Sequence, residues 1–428
     1  MNRVVVTGLG VVAPNGVGRE TFWKACLAGR SGIGPISLFD AANHPVKIAG
    51  EIRDFDPAPL LPAESRKQLK IMSRAMKFGL GAAALALRDS GLVLDDLDQE
   101  RIGVSMGTGI VPMDLGELAP MMARACDGGE FDASKLPSAD GGSALFPLWL
   151  LKHLPNMTAA HISLAFGCQG PNSTITTACV AGTQAIGDAF RTIARGDADI
   201  MLAGGADSRI DPLLMMAYAA LGTLSKSDRS PEEQSRPFDR LRQGFVLSEG
   251  AAVLVLETLE HAKTRGADIV CEVTGFGSSF DAYSATKPDP TGRGGSRAMR
   301  SALNEARVDP DEIATINAHG TSTRLNDEME TAAVKGVFGE RAKSLKLSAI
   351  KSMIGHSIGA AGAIEAAALA LTLKHRVYPP TINLTHPDPA CDLDYVPNEA
   401  QDACRLRYGL STSFGFGGQN GALVMKAA

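Results

Sequence analysis

The chain has 428 residues, with 42 Lys and Arg against 47 Asp and Glu and a formal net charge of −5. That balance provides no basic field and excludes nucleic acid as a natural partner class. The length allows roughly two to three ordinary domains or one large α/β body, and the 46 glycines beside only 5 % aromatic residues suit tight strand–helix turns and closely packed small-residue helices.

The chain opens on MNRVVVTGLGVVAPNG. The apolar run after Arg3 is too short for a secretory leader and has no small-x-small cleavage site, so 3–8 is read as a first strand. GLGVVA also fits the dinucleotide fingerprint G-x-G-x-x-A. Pro14, Asn15 and Gly16 follow where that fingerprint must open a helix, and the reading is rejected. Further strands are expected at 102–106, 173–177, 200–204, 251–257, 270–277, 313–317, 346–349 and 421–425. Helical patterns fall at 74–90, 183–195, 297–306, 328–338 and 359–375. This alternation predicts an α/β protein with sheets sandwiched by helices. The segment 107–154 is irregular and rich in Gly, Met and Pro; it is either a pocket-shaping loop or a passive surface excursion. The longest apolar tract, 358–373, contains Glu365 and many small residues, so a buried helix and no membrane span is expected. VTGLG near the start and VTGFG at 273–277 echo each other, which predicts two similar halves, 1–259 and 260–428.

Seven cysteines are scattered without a CxxC pair. They form neither a disulfide framework nor a zinc site, and a reducing compartment, the cytoplasm, is expected. Cys26, Cys126, Cys168, Cys271, Cys391 and Cys404 are read as structural. Cys179 differs. In ITTACVAGTQAIGDAF a strand runs into a helix whose apolar face is Ile186, Ala189, Phe190 and Ile193. A cysteine at that junction meets free N–H groups and the positive end of the helix dipole, which favour a thiolate. Ala178, Ala181 and Gly182 leave room for a substrate. Two histidines stand in similar settings: His319 in NAHGTST, after the strand 313–317, and His356 in KSMIGHSIGAAG, ahead of the helix 359–375. Both lie where α/β proteins build sites. The other histidines, His44, His153, His161, His261, His375 and His386, are read as structural or solvated. STSFGFGGQN packs glycines and aromatics into one turn, which is a tight hairpin, an oxyanion donor, or both.

Together TACVAG, NAHGTST, KSMIGH and SFGFGG, in that order, resemble the signature segments of the β-ketoacyl-acyl-carrier-protein synthases, elongating members of the thiolase superfamily. VVVTGLGVVAPNG, GDADIMLAGGADS, SRPFDRLRQGFVLSEGA and VYPPTINL extend the similarity over nearly the whole chain. The resemblance implies a thiolase-like α/β fold, a duplicated five-layered α-β-α-β-α sandwich, with Cys179 in the first half and both histidines in the second. It implies that Cys179 is the acylated nucleophile, that His319 and His356 are N–H donors to a malonyl thioester, and that Lys351 and Glu365 set the electrostatics. Thr321 and Thr323 support the site. Phe416 is the gate, with Phe414, Gly417 and Gly418 around it, and the N–H groups of Cys179 and Phe416 form an oxyanion hole. No cofactor or metal is implied. The partners implied are an acyl carrier protein bearing phosphopantetheine-linked acyl and malonyl groups and a second copy in a homodimer, or a second ketosynthase-like subunit in a heterodimer. In SRKQLKIMSRAMK, Arg66, Lys70, Arg74 and Lys77, with Lys67 beside them, form a basic stripe on one helix; it is either a carrier-docking face or a solvated surface.

Three departures from the family pattern point to a specialised polyketide, polyene or unusual-lipid pathway. LFPLWLLKHLPNM replaces a proline-serine motif in the segment 144–158, where Trp149 and the leucines after it are expected to narrow or reshape the acyl pocket. Gln419 stands for a frequent Thr, and Gln243 for a common acid. A thiolase would need a late CxG cysteine, which Cys391 and Cys404 do not supply. An initiating synthase would carry Asn for one histidine, and a chain-length-factor subunit would lack Cys179. A papain-like hydrolase has other neighbours around its Cys and His. The alternative outside enzymology is a scaffold that holds the carrier without turnover.

Overall fold

The computed structural model describes residues 1–126, 129–136, 146–403 and 405–428. The main strands, in chain order, are β1 (Val4–Ala13), β2 (Ile102–Gly107), β3 (Asn172–Ile175), β4 (Ile200–Asp207) and β5 (Gly250–Thr258). Then come β6 (Cys271–Phe280), β7 (Ile313–Asn317), β8 (Lys346–Ser348), β9 (Tyr408–Phe414) and β10 (Gln419–Ala427). The helices that matter most are α1 (Arg74–Ser90), α2 (Ala181–Arg195), α3 (Arg293–Ala306), α4 (Arg324–Phe338) and α5 (Ala361–His375).

The strands follow one order twice. From β1 outward the sheet runs β5, β4, β2, β3; from β6 outward it runs β10, β9, β7, β8. In each arm the pairings are antiparallel, antiparallel, parallel and parallel. β1 and β6 join the arms through the pairs Val4–Val273, Val5–Glu272 and Val6–Cys271. The echo VTGLG/VTGFG therefore lies in the two strands that meet at the pseudo-twofold. Helices α1 and α3 cover the outer faces and α2 and α5 lie between the arms, giving the five layers expected.

The echoed glycines have a packing reason. A Cβ at Gly10 would lie 1.8 Å from the Ala82 carbonyl oxygen of α1, and one at Gly277 would lie 2.0 Å from that of Ala298 in α3. Each outer helix rests its backbone on the glycines of one strand. The dinucleotide reading fails for the same reason, since GLG is strand interior. Gly10→Ala is expected to cost about 3 kcal/mol of stability, because neither backbone can yield, and Gly277→Ala should match it. Urea unfolding checks this; unchanged midpoints would remove the close-packing explanation.

The centre of the fold positions the site. Helix α5 is buried from Ala361 to Leu373, including Glu365, so its apolar run serves a core. It crosses α2 closely: a Cβ at Gly182 would lie 2.8 Å from Ala363 N. The N-terminal ends of the two helices thus meet, one preceded by Cys179 and the other by His356. Strand β9 was not expected from sequence. YGLSTSF looks like turn chemistry, yet every residue in it is buried. Two of its hydroxyls find partners inside: Thr412 Oγ1 donates to Glu330 Oε1 at 2.9 Å and Ser413 Oγ bonds Thr183 Oγ1 at 2.7 Å, while Ser411 Oγ is buried without one.

Part of the segment 107–154 is regular, with a helix over Leu115–Ala125 that carries Pro120 inside it. Its residues 127–128 and 137–145 lie outside the described residues, as do 144 and 145 of the altered segment and Cys404. Trp149 does not reach Cys179. Its Nε1 donates to Glu117 at 2.9 Å, its ring packs on His153, and it lines a separate small hollow with Lys70. Trp149 is absent from the lining of the cavity that holds Cys179.

Candidate active site

Strand β3 ends at Ile175, and Ala178–Val180 make a tight turn before α2. Ala178 takes a left-handed φ of 51°, a strained geometry of the kind found at functional sites. It throws Cys179 to the helix start, where the residue is 3 % exposed. The expectation of a ready thiolate needs correction. Burial pushes the Cys179 thiol up to about 11, while the charges of Lys351 and Arg209 and the Phe416 backbone N–H pull the other way. Exclusion of water is the largest of these influences and favours the neutral thiol as the resting group.

His356 Nε2 lies 3.1 Å from Cys179 Sγ. The His356 backbone is pinned on both sides, its N–H to the Val246 carbonyl at 2.8 Å and its carbonyl to the Ser248 N–H at 3.0 Å. The Ile358 N–H donates to His356 Nδ1 at 3.3 Å. With Nδ1 accepting, a neutral ring carries its hydrogen on Nε2, pointing at the sulfur. Burial first, then Lys351 and Arg209, hold this imidazole well below its usual range.

His319 reaches the same space from the other arm. Its N–H and that of Gly320 both donate to the Glu330 carboxylate at 2.8 Å. Lys351 Nζ contacts His319 Nδ1 at 3.1 Å, donates to the His319 carbonyl at 2.7 Å and pairs with Glu365 Oε1. An ammonium has three donors, and these contacts use all of them. His319 Nδ1 is then an acceptor, and its hydrogen also sits on Nε2. Burial, Lys351 and His356 lower this ring far below its usual range, against the Phe414 backbone. The rings of His319 and His356 stand 5.4 Å apart, edge to face.

One ligand atom from each of Cys179, His319 and His356 lies within 4.8 Å of the others, a spacing that could hold a metal ion. The donor set argues otherwise. A metal-ligating histidine donates its other ring N–H to an acceptor, whereas here the other nitrogen of each ring receives a hydrogen bond. The atoms facing the sulfur are N–H donors, suited to an oxyanion.

The three residues close one end of a cavity of about 640 Å³. Phe414, Phe416, Gly417 and Gly418 form its side, in the hairpin between β9 and β10. Gly417 and Gly418 have φ of 88° and 90°, so the turn needs glycine there. Thr321 and Thr323 line the cavity and bond each other at 2.8 Å. Exposed Lys287 and Arg324, with Gln243, stand at its mouth.

The basic stripe is not a single helix. Ser65–Ile71 is a 3₁₀ turn and α1 starts afresh at Arg74, capped by Ser73. Arg74 is spent on the buried Glu249, through Nε and Nη2 at 2.7 and 2.6 Å. Lys77 is half-buried; Arg66, Lys67 and Lys70 remain exposed, away from the cavity lining. Glu330, Asp207 and Arg209 are site-shaping residues that the sequence reading missed. Asp327 and Glu330, spaced three apart among buried Met329, Ala333 and Val334, carried a readable signal: acids on the apolar face of a helix.

Residues 1–262 match the family model for the beta-ketoacyl synthase N-terminal domain, and residues 270–385 match that for the C-terminal domain. The chain belongs to the β-ketoacyl synthase family. Family relatives include the 3-oxoacyl-(acyl-carrier-protein) synthase 2 of Coxiella burnetii, 43 % identical over 423 residues, 99 % of this chain and 98 % of that protein. Among solved family members, a type II PKS acyl-carrier protein in complex with its ketosynthase bound to the hexaketide superposes with a TM-score of 0.88 at 34 % identity, covering 100 % of this chain and 99 % of that one. The ishigamide ketosynthase/chain length factor superposes with a TM-score of 0.87 at 36 % identity, with coverage of 100 % and 99 %.

Proposed function

We propose that this protein condenses an acyl chain with malonyl units on a carrier protein, extending the chain by two carbons. The observation that carries the proposal is the meeting of one thiol and two imidazole N–H donors at the closed end of one cavity. In the first half-reaction the Cys179 thiol attacks the acyl thioester carbonyl, its proton passes to the departing carrier sulfur, and an acyl-enzyme and a free carrier thiol form. The attacking thiolate accepts from His356 Nε2–H and the Phe416 N–H as it forms. Malonyl-carrier then enters. Its carbon–carboxylate bond breaks, CO2 leaves, and the electron pair moves into a thioester enolate whose oxygen accepts from His319 and His356. The enolate carbon attacks the acyl-Cys179 carbonyl, with the Cys179 and Phe416 N–H groups receiving the tetrahedral oxyanion. Collapse expels the Cys179 thiolate, which takes up a proton from solvent to restore the thiol, and releases a 3-oxoacyl-carrier. Lys351 and Glu365 hold the His319 tautomer, and Phe416 opens and closes on its glycine hinge.

The halves 1–259 and 260–428 divide the labour, nucleophile from one and donors from the other. The carrier's acidic surface meets the cations at the mouth, Lys287 and Arg324, and the exposed Arg66, Lys67 and Lys70 are open to it. A second copy completes a homodimer, as in the family. No helix among the described residues is long and apolar enough to cross a membrane, and Cys26, Cys126, Cys168, Cys179, Cys271 and Cys391 are free thiols, which supports the cytoplasm as the working compartment.

Incubation with acyl-carrier and malonyl-carrier should yield CO2 and a 3-oxoacyl-carrier in equal amounts. Carrier binding without product would favour the scaffold. Since both imidazoles titrate well below 6.5, they stay neutral as pH falls through that value. Malonyl decarboxylation is therefore expected to show no acid limb near pH 6.5; the loss begins well below it. A limb centred at 6.5 would show that a histidine here titrates as in water.

A further inference from the structure

The chemistry asks two things of the space around Cys179: a channel for the carrier arm and malonyl group, and a place for the acyl chain held on sulfur. The cavity supplies the first, running from Cys179 and the histidines to exposed Thr286 and Lys287. Ile210, Met215, Phe245 and Ile358 pack into one apolar cluster with Cys179, and apart from Phe245 they lie outside the cavity lining. A charged pair sits against this cluster. The Arg209 and Asp207 side chains are 6 % and 3 % exposed. Arg209 Nε and Nη2 donate to Asp207 at 3.0 and 2.9 Å, and Nη1 donates to the Tyr218 hydroxyl. Asp207 Oδ2 also accepts the Gly359 N–H at 2.9 Å.

This cluster adjoins the reacting groups without touching them. Arg209 is close enough for its charge to lower both the Cys179 thiol and the His356 ring. The Tyr218 ring lies 6.0 Å from Phe245, which lies 5.2 Å from His356. A Cβ at Gly109 would lie 1.6 Å from Arg209 Nη2, so backbone closes over the guanidinium and fixes it. These bonds use three of its five N–H groups, leaving one each on Nη1 and Nη2. A methylene chain pressed against such a pair gains no apolar contact and strips polar groups of partners. An acyl group with an oxygen along its length can take the spare donors instead.

We propose that Arg209, held by Asp207 and Tyr218, is a specificity-determining residue: it closes the acyl side of the site with a polar wall, so that short or oxygen-bearing acyl groups are loaded and long alkyl chains are refused. The inference rests on Cys179 being the acylated residue. It is tested by mass spectrometry of the intact protein incubated with acetyl-, butyryl-, 3-oxobutyryl-, octanoyl- and dodecanoyl-carrier. Wild type and the double variant Asp207→Asn/Arg209→Met are compared. Asn keeps an acceptor for the Gly359 N–H, and removing both charges together avoids a stranded ion.

Wild type is expected to load butyryl and 3-oxobutyryl at least about tenfold faster than dodecanoyl, and the double variant to reduce that ratio about tenfold. Equal loading of butyryl and dodecanoyl by wild type, or an unchanged ratio in the folded variant, overturns the proposal. The wild-type series decides alone if the variant does not fold. No loading of any length would overturn the acyl-enzyme reading, and this inference with it.

Discussion

Cys179→Ala is expected to lower condensation by a factor on the order of 10⁴ or more, with no loss of fold. In the proposed reaction this sulfur is the nucleophile of the first half-reaction, and no other described thiol stands beside the donors. Cys26, Cys168, Cys271 and Cys391 are buried, and burial pushes their thiols up to about 12. Cys126 is exposed and away from the cavity. A methyl in place of the thiol leaves the turn at Ala178 and the start of α2 undisturbed, so unfolding midpoints should move by about 1 kcal/mol or less. Alanine keeps the histidines, so it should still bind malonyl-carrier while forming no acyl adduct. Condensation within tenfold of wild type would place the acyl group elsewhere.

The second large effect is at Lys351. The residue is 1 % exposed and ties His319 to Glu365. Glu365 Oε2 is buried with no hydrogen-bond partner of its own. Lys351→Met strands that carboxylate, and breaking a buried pair from one side costs about 3–5 kcal/mol. It also removes the hydrogen bond that makes His319 Nδ1 an acceptor. The ring is then free to place its hydrogen on Nδ1 and turn a lone pair toward the enolate oxygen. Losing one preformed oxyanion donor lowers rate by about 10²–10³. Lys351→Met/Glu365→Gln separates the two consequences: stability should return while decarboxylation stays slow. If the double variant recovered both, the lysine would be a packing element and not a positioning residue.

The duplicated architecture was legible because VTGLG and VTGFG are the two strands on which the outer helices rest, and glycine is the residue such contact requires. The site was legible because Cys179, His319 and His356 all precede helices or follow strands, where small-residue turns are visible in sequence. Other features stayed hidden for physical reasons. Strand β9 buries serines and threonines, residue types that read as a loop. The stripe from Arg66 to Lys77 has helical spacing, but the backbone breaks at Met72–Ser73 and Arg74 turns inward to Glu249. The thiol's environment depends on how many groups exclude water from it, and spacing along the chain does not report that. Arg209 follows the end of β4 as one polar residue among several. Only its burial beside Cys179 distinguishes it.

The most direct measurement is peptide mass spectrometry of the protein after brief exposure to butyryl-carrier, followed by a chase with malonyl-carrier. An acyl mass on the peptide bearing Cys179, lost on the chase as the elongated 3-oxoacyl-carrier appears, is the expected result. An acyl mass on another residue, or one on Cys179 that persists through the chase, would contradict the shared chemistry of that sulfur and the two imidazoles.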